Sequence, residues 1–125
     1  MKKLLLSVAA TAALLAGLAA AKEKLMTVAG WVSDENCGAQ HTRPGGGDCI
    51  RKCLRGGQAI GHPEWKPQRM VFVADKDKRI WVVENPAALK DQEGYHVEMT
   101  VGFDLTKKSL RVERVVRAGE SRNTK

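Results

Sequence analysis

Apolar and polar residues alternate along most of the chain beyond residue 24, and that alternation sets the expected elements. Over Leu25–Ser33, Met26, Val28, Gly30 and Val32 take one side, and Thr27, Ala29, Trp31 and Ser33 the other. Side chains on a strand point to opposite faces in turn, so this stretch reads as β. Met70–Ala74 (MVFVA) is a short continuous apolar run suited to a buried strand. Asp75-Lys76-Asp77-Lys78 then turns the chain into Arg79–Glu84, which completes a hairpin. Asn85 is placed to cap a short helix with Pro86 at its first position, where a missing N–H costs nothing, and Gly94 is placed to end it. Tyr95, Val97, Met99, Val101 and Phe103 mark one face of a fourth strand. Leu110 and Val112 begin a fifth, whose alternation slips before Val115 and predicts a bulge.

Strand, insertion, strand, strand, helix, strand, strand is the order of a five-stranded OB-like barrel with its helix between strands 3 and 4. A β-sandwich is the competing architecture, but it usually needs about seven strands. The expected core includes Val28, Val32, Phe72, Val73, Val82, Val97, Val101 and Val112.

The first 21 residues follow a different pattern. Lys2 and Lys3 precede an apolar run from Leu4 to Leu18, and Ala19-Ala20-Ala21 supplies small residues for cleavage. This is the pattern of a secretory signal peptide, with an apolar run short for a membrane span, and it implies a periplasmic or secreted product. No second apolar segment follows, so no transmembrane segment is expected in the mature chain. Residues 22–118 then form one domain, the Cys/His insertion occupies residues 34–57, and the polar tail 119–125 is expected to be disordered. The chain carries a net charge of +7, of which Lys2 and Lys3 leave with the signal. Arg51, Lys52, Arg55, Arg69, Lys107 and Arg111 are scattered and read as a solvated surface. Export argues against a nucleic-acid partner for the basic surface, and Trp31, Trp65 and Trp81 are expected to pack in the core or at the rim.

The insertion holds the chemistry. Residues 37–53 read CGAQHTRPGGGDCIRKC and contain all 3 cysteines. Cys37 and His41 are four apart, as are Cys49 and Cys53, roughly one helical turn in each case. Pro44-Gly45-Gly46-Gly47 between the pairs can fold one against the other. Asp48 is a candidate N-cap for a helix over Cys49–Arg55, with Gly56-Gly57 as the stop.

Three thiols and an imidazole suit Zn²⁺, and thiolates also favour Cu(I). Arg43, Arg51, Lys52 and Arg55 are placed to help keep the thiols ionised. A disulfide between Cys49 and Cys53 fits poorly, because Cβ atoms about 5–6 Å apart on a helix exceed the roughly 3.8 Å a bridge needs. The export context supplies the alternative: Cys37 bonded to Cys49 or Cys53, leaving one thiol over. A Cys37–His41 nucleophilic pair is a further option, but no orienting group or oxyanion donor can be assigned, and no catalytic residue is named. His62 in Gly-His-Pro-Glu-Trp is a candidate fifth donor. His96, on the polar face of its strand, is expected to be solvated.

The segments GWVSDENCGAQH, CIRKC, VFVADKDKRIWVVENP and GYHVEMTVGF resemble an uncharacterised family of small secreted bacterial OB-like proteins. The resemblance spans roughly residues 28–116 and implies the OB-like fold and export, with Cys37, His41, Cys49 and Cys53 as motif positions. It implies no activity. The expected function is therefore an exported, non-catalytic metal-binding domain using Zn or Cu through Cys37, His41, Cys49 and Cys53. The alternative is a disulfide-stapled cell-envelope module that recognises a small molecule or protein on its barrel face.

Overall fold

Five strands, β1 (Leu25–Asp34), β2 (Met70–Ala74), β3 (Ile80–Val83), β4 (His96–Asp104) and β5 (Ser109–Arg117), form one mixed sheet. The computed structural model describes residues 24–58 and 61–118. The expected signal peptide, 1–21, and tail, 119–125, lie outside the described residues. The strands pair in the cyclic order β1-β2-β3-β5-β4, with β4 returning to β1. Each strand therefore has two neighbours, and the sheet is a ring without a free edge strand. All pairings are antiparallel except β3 with β5, where Val82 faces Ser109 and Val83 faces Leu110.

β1 reaches both neighbours because it is long. Its first part pairs with β4 from Leu25↔Gly102 to Trp31↔His96, and its last part with β2 from Gly30↔Ala74 to Asp34↔Met70. Gly30 belongs to both ladders. A Cβ there would lie 2.1 Å from the Val73 carbonyl oxygen and 2.6 Å from Phe72 Cζ, so only glycine admits the Phe72 ring at this crossing.

Inside the ring, Val32, Phe72, Val97, Val101 and Leu110 are wholly buried, joined by Met99, Trp81, Val83 and Val112. Val28 is only half-buried, near the open end where Leu25 and Met26 are exposed. Val82 is half-buried for another reason: Trp81 and Val83 face the core, so strand alternation turns Val82 outward. β2 is buried along its whole length. Its inner side chains join the core, and the first turn of the insertion packs on the strand as well.

The bulge expected before Val115 is present. Thr100 pairs with Arg114 and Val101 with Val112, which leaves Glu113 as the extra residue. The helix expected at Pro86 is a four-residue 3-10 turn, Pro86–Leu89, whose Leu89 is fully buried. Asn85 stands at its N-cap position but makes no capping bond. Instead its Nδ2 donates to the Val112 carbonyl, and its Oδ1 accepts from the Val112 N–H, both at 2.8 Å. The amide thus mimics a strand partner beside the bulge. Gly94 does not end the turn, which stops at Leu89; its role lies at the insertion.

Candidate metal centre

The strand β1 ends in a turn that aims the first donors. Ser33 Oγ donates to the Gly38 carbonyl at 2.9 Å, and Asp34 Oδ1 accepts the N–H groups of Asn36 and Cys37 at 3.0 and 2.9 Å. A carboxylate bonding its own chain two and three residues on fixes a tight reversal. A 3-10 turn, Gly38–His41, follows directly, with Cys37 at its N-cap position. Gly45, at φ +102, then carries the chain into the helix.

That helix, α1, spans Gly47–Arg55 and begins two residues before Cys49, with Gly46 as N-cap. Asp48 is therefore inside the first turn and not the cap, and its carboxylate pairs with Arg51. Ile50 is wholly buried, and Leu54, one turn on, packs against the core. Cys49 and Cys53 form the stripe immediately alongside. At the other end, Gly56 at φ +74 closes the helix, and the Cys53 carbonyl accepts the N–H groups of Gly56 and Gln68.

Docking of α1 on the ring depends on two glycines. A Cβ on Gly94, whose φ is +80, would lie 2.5 Å from the Gly47 nitrogen, and one on Gly47 would lie 2.9 Å from the Glu93 carbonyl oxygen. Bare backbone meets bare backbone there, which sets the depth at which the helix sits.

The donor atoms of Cys37, His41 and Cys49 lie within 4.8 Å of one another, and so do those of Asp34, Cys37 and Cys53. The four residues picked from sequence are thus brought together, but as two overlapping triads joined at Cys37. Asp34 was not anticipated as a donor. It is fully buried, and its Oδ2 has no hydrogen-bond partner. His41 Nε2 is likewise buried and unpartnered. A buried polar atom without a partner is costly, and a metal ion is one group that satisfies it. The His41 ring is seated against Gly46, where a Cβ would approach its Nδ1 to 2.8 Å.

Comparison with protein-family models, curated proteins and solved structures found no match. What the site can do is therefore read from its own chemistry.

All three cysteines are free thiols. Burial pushes the Cys53 thiol up to about 11, reinforced by the Asp34 carboxylate and then by Cys37 and Cys49. Cys37 is raised as well, again by burial first and Asp34 second. For Cys37 and Cys53 this corrects the expectation that nearby cations hold the thiols ionised. Arg51 is engaged by Asp48, and Arg55 Nε donates to the Arg51 carbonyl. Burial acts first on both sulfurs, and the buried Asp34 carboxylate beside them acts in the same direction.

The other histidines sit apart from both triads. His62 stacks on Trp65 with ring centroids 4.0 Å apart and pairs with Glu64 at 3.0 Å, so it is no fifth donor here. His96 is not simply solvated: its Nε2 lies 2.6 Å from Asp75 Oδ2, and its ring leans on Trp31. Trp81 packs on Phe103 in the core, whereas Trp65 is half-exposed outside it.

Proposed function

We propose that this protein is an exported, non-catalytic metal-binding domain that holds Zn²⁺ or Cu(I) through Cys37, His41, Cys49 and Cys53. The observation that carries the reading is the convergence of Cys37, His41 and Cys49 donors within 4.8 Å, with His41 Nε2 buried and unpartnered. Thiolate and imidazole together are the donor set of structural zinc sites and of soft-metal carriers. The strand ring is read as an OB-like barrel, with the metal-binding segment replacing its first connection. Among the described residues no helix is long and apolar enough to cross a membrane.

Elemental analysis of protein purified from the exported fraction, without chelator, tests the proposal. At least one equivalent of a transition metal is expected. Less than about a tenth of an equivalent, with an intact mass two hydrogens light, overturns it in favour of Cys37 bonded to a helix cysteine. Cys49→Ser or Cys53→Ser should weaken binding more than His41→Ala, because each removes a charged ligand and His41 a neutral one.

A second reading, recognition of a small molecule, is favoured by a cleft of about 540 Å³ beside α1. Trp31, Tyr95 and Arg117 line it, and the Arg117 guanidinium lies 3.7 Å from the Tyr95 ring centroid. An aromatic floor with a cation suits a planar organic anion. A fluorescence titration with aromatic carboxylates, unaffected by Arg117→Ala, would remove this reading.

A further inference from the structure

We propose that the insertion holds two metal ions, bridged by the Cys37 thiolate, with Asp34 as a ligand of the second. This rests on the metal-binding reading and extends it. The first position is Cys37, His41 and Cys49; the second is Asp34, Cys37 and Cys53. Cys37 alone belongs to both triads, with its sulfur within 4.8 Å of those of Cys49 and Cys53.

Each triad has its own unsatisfied atom. His41 Nε2 is orphaned in the first and Asp34 Oδ2 in the second, and both are buried. One ion placed to relieve either leaves the other orphaned. Asp34 is also held ready to ligate, since its Oδ1 is fixed by two backbone N–H groups and its whole side chain is excluded from water. Its freedom is already lost before a ligand arrives, so an ion binding there orders little more.

Charge points the same way. When ligated, three thiolates and one carboxylate carry four negative charges, which two divalent ions balance. A single ion in the first position is balanced by Cys37 and Cys49 and leaves the buried Asp34 carboxylate with no cation beside it, an expensive arrangement. Ligation releases thiol protons to solvent, and no electron transfer is involved. Cys37, His41 and Cys49 include the most exposed thiol, whereas Asp34 and Cys53 lie deeper, so the first position fills from solvent more readily.

Native mass spectrometry of the purified domain, titrated with Zn²⁺ under reducing, chelator-free conditions, reads the stoichiometry directly. Two ions at saturation are expected for the unaltered protein. Asp34→Asn keeps an oxygen to accept the Asn36 and Cys37 N–H groups and should bind one. Should Asp34→Asn fail to fold, Cys53→Ser tests the same position and should also bind one. His41→Ala should lose the other ion, and Cys37→Ser should lose both. In a parallel ¹¹³Cd NMR experiment, two cadmium resonances coupled through a shared sulfur are expected. Saturation at one ion, unchanged by Asp34→Asn, overturns the second position but leaves the metal-binding proposal standing. Two ions retained in both Asp34→Asn and Cys53→Ser remove Asp34 and Cys53 from the site. No binding at all overturns both proposals.

Discussion

In the strand ring, β2 is buried from Met70 to Ala74, and Met70, Phe72 and Ala74 join a core to which all five strands contribute. Among the described residues between β1 and β2, one large apolar side chain, Ile50, is wholly buried, and backbone contact between Gly47 and Gly94 does much of the docking. The ring draws on apolar burial, which is cooperative and insensitive to what is bound. The insertion draws on a few short contacts and on donor atoms that still lack partners. On the metal-binding proposal, the first region supplies the frame and the second the donors. That difference assigns stability to the first and function to the second.

The sharpest way to break this contrast is to damage the ring. Phe72→Ala removes a fully buried aromatic side chain from the core, and a loss of about 3–5 kcal/mol is expected in denaturant unfolding. Metal binding should disappear with it. An unaltered unfolding midpoint would mean that the ring does not carry the fold. Gly94→Ala tests the seam between the regions. A side chain at φ +80, pressed 2.5 Å from the Gly47 nitrogen, is expected to cost about 1–3 kcal/mol. Zn²⁺ affinity should fall more than ring stability does, because α1 carries Cys49 and Cys53.

Metal-free stability and metal affinity should also respond oppositely to alkali. The folded Cys53 thiol titrates at about 11 against an ordinary 9.0, so folding favours its neutral form. In the metal-free protein that stabilisation is complete below pH 9 and is lost as pH rises through 9 towards 11. Zn²⁺ affinity should instead rise with pH, because each bound thiol must give up its proton. Thermal melts with and without Zn²⁺ between pH 7 and 10 should therefore diverge; parallel curves would sink the assignment of Cys53 as a ligand.

The smallest expected effect is at the clasp beneath the insertion. Arg69 N donates to Glu35 Oε1 at 3.0 Å and Arg69 Nε to Glu35 Oε2 at 2.8 Å, and these bonds hold the Glu35 carboxyl below its ordinary 4.5. The Arg69 side chain is largely exposed, so Arg69→Ala should cost only about 0.2–1 kcal/mol at neutral pH. That loss should vanish as pH falls through the carboxylate range. A cost above about 2 kcal/mol would show the insertion to be structurally coupled to the ring.

β1, β4 and β5 were legible from period-two alternation, and β2 and β3 from short apolar runs on either side of the polar Asp75-Lys76-Asp77-Lys78 turn; even the slip at Glu113 showed as a fault in the alternation. The facing of Val82 was not, since in a run of four apolar residues alternation cannot say which pair points inward. Cys37, His41, Cys49 and Cys53 were legible from residue type and spacing. Asp34 was missed for a physical reason. An aspartate at the end of a strand reads as a turn former, which it is, through Oδ1. Its second oxygen becomes a candidate ligand only because the chain reversal at Asn36 and the return of α1 bring Cys37 and Cys53 beside it. That proximity belongs to tertiary structure and has no local signature.

The Glu35–Arg69 clasp has a consequence for how this molecule can be rebuilt. Asp34 and Met70 are register partners, and Glu35 N donates to the Arg69 carbonyl at 3.0 Å, so the chain leaves and rejoins the ring at a single rung. Residues 36–68 are therefore a cassette, removable in favour of a tight hairpin turn and portable to an antiparallel pair that has the same rung spacing and a seat for α1 like that at Gly94. Transplanted alone, the cassette would take Cys37, His41, Cys49 and Cys53 and leave Asp34 behind. A host strand with aspartate two residues before the start of the cassette would restore the proposed donor set; one with leucine there would not.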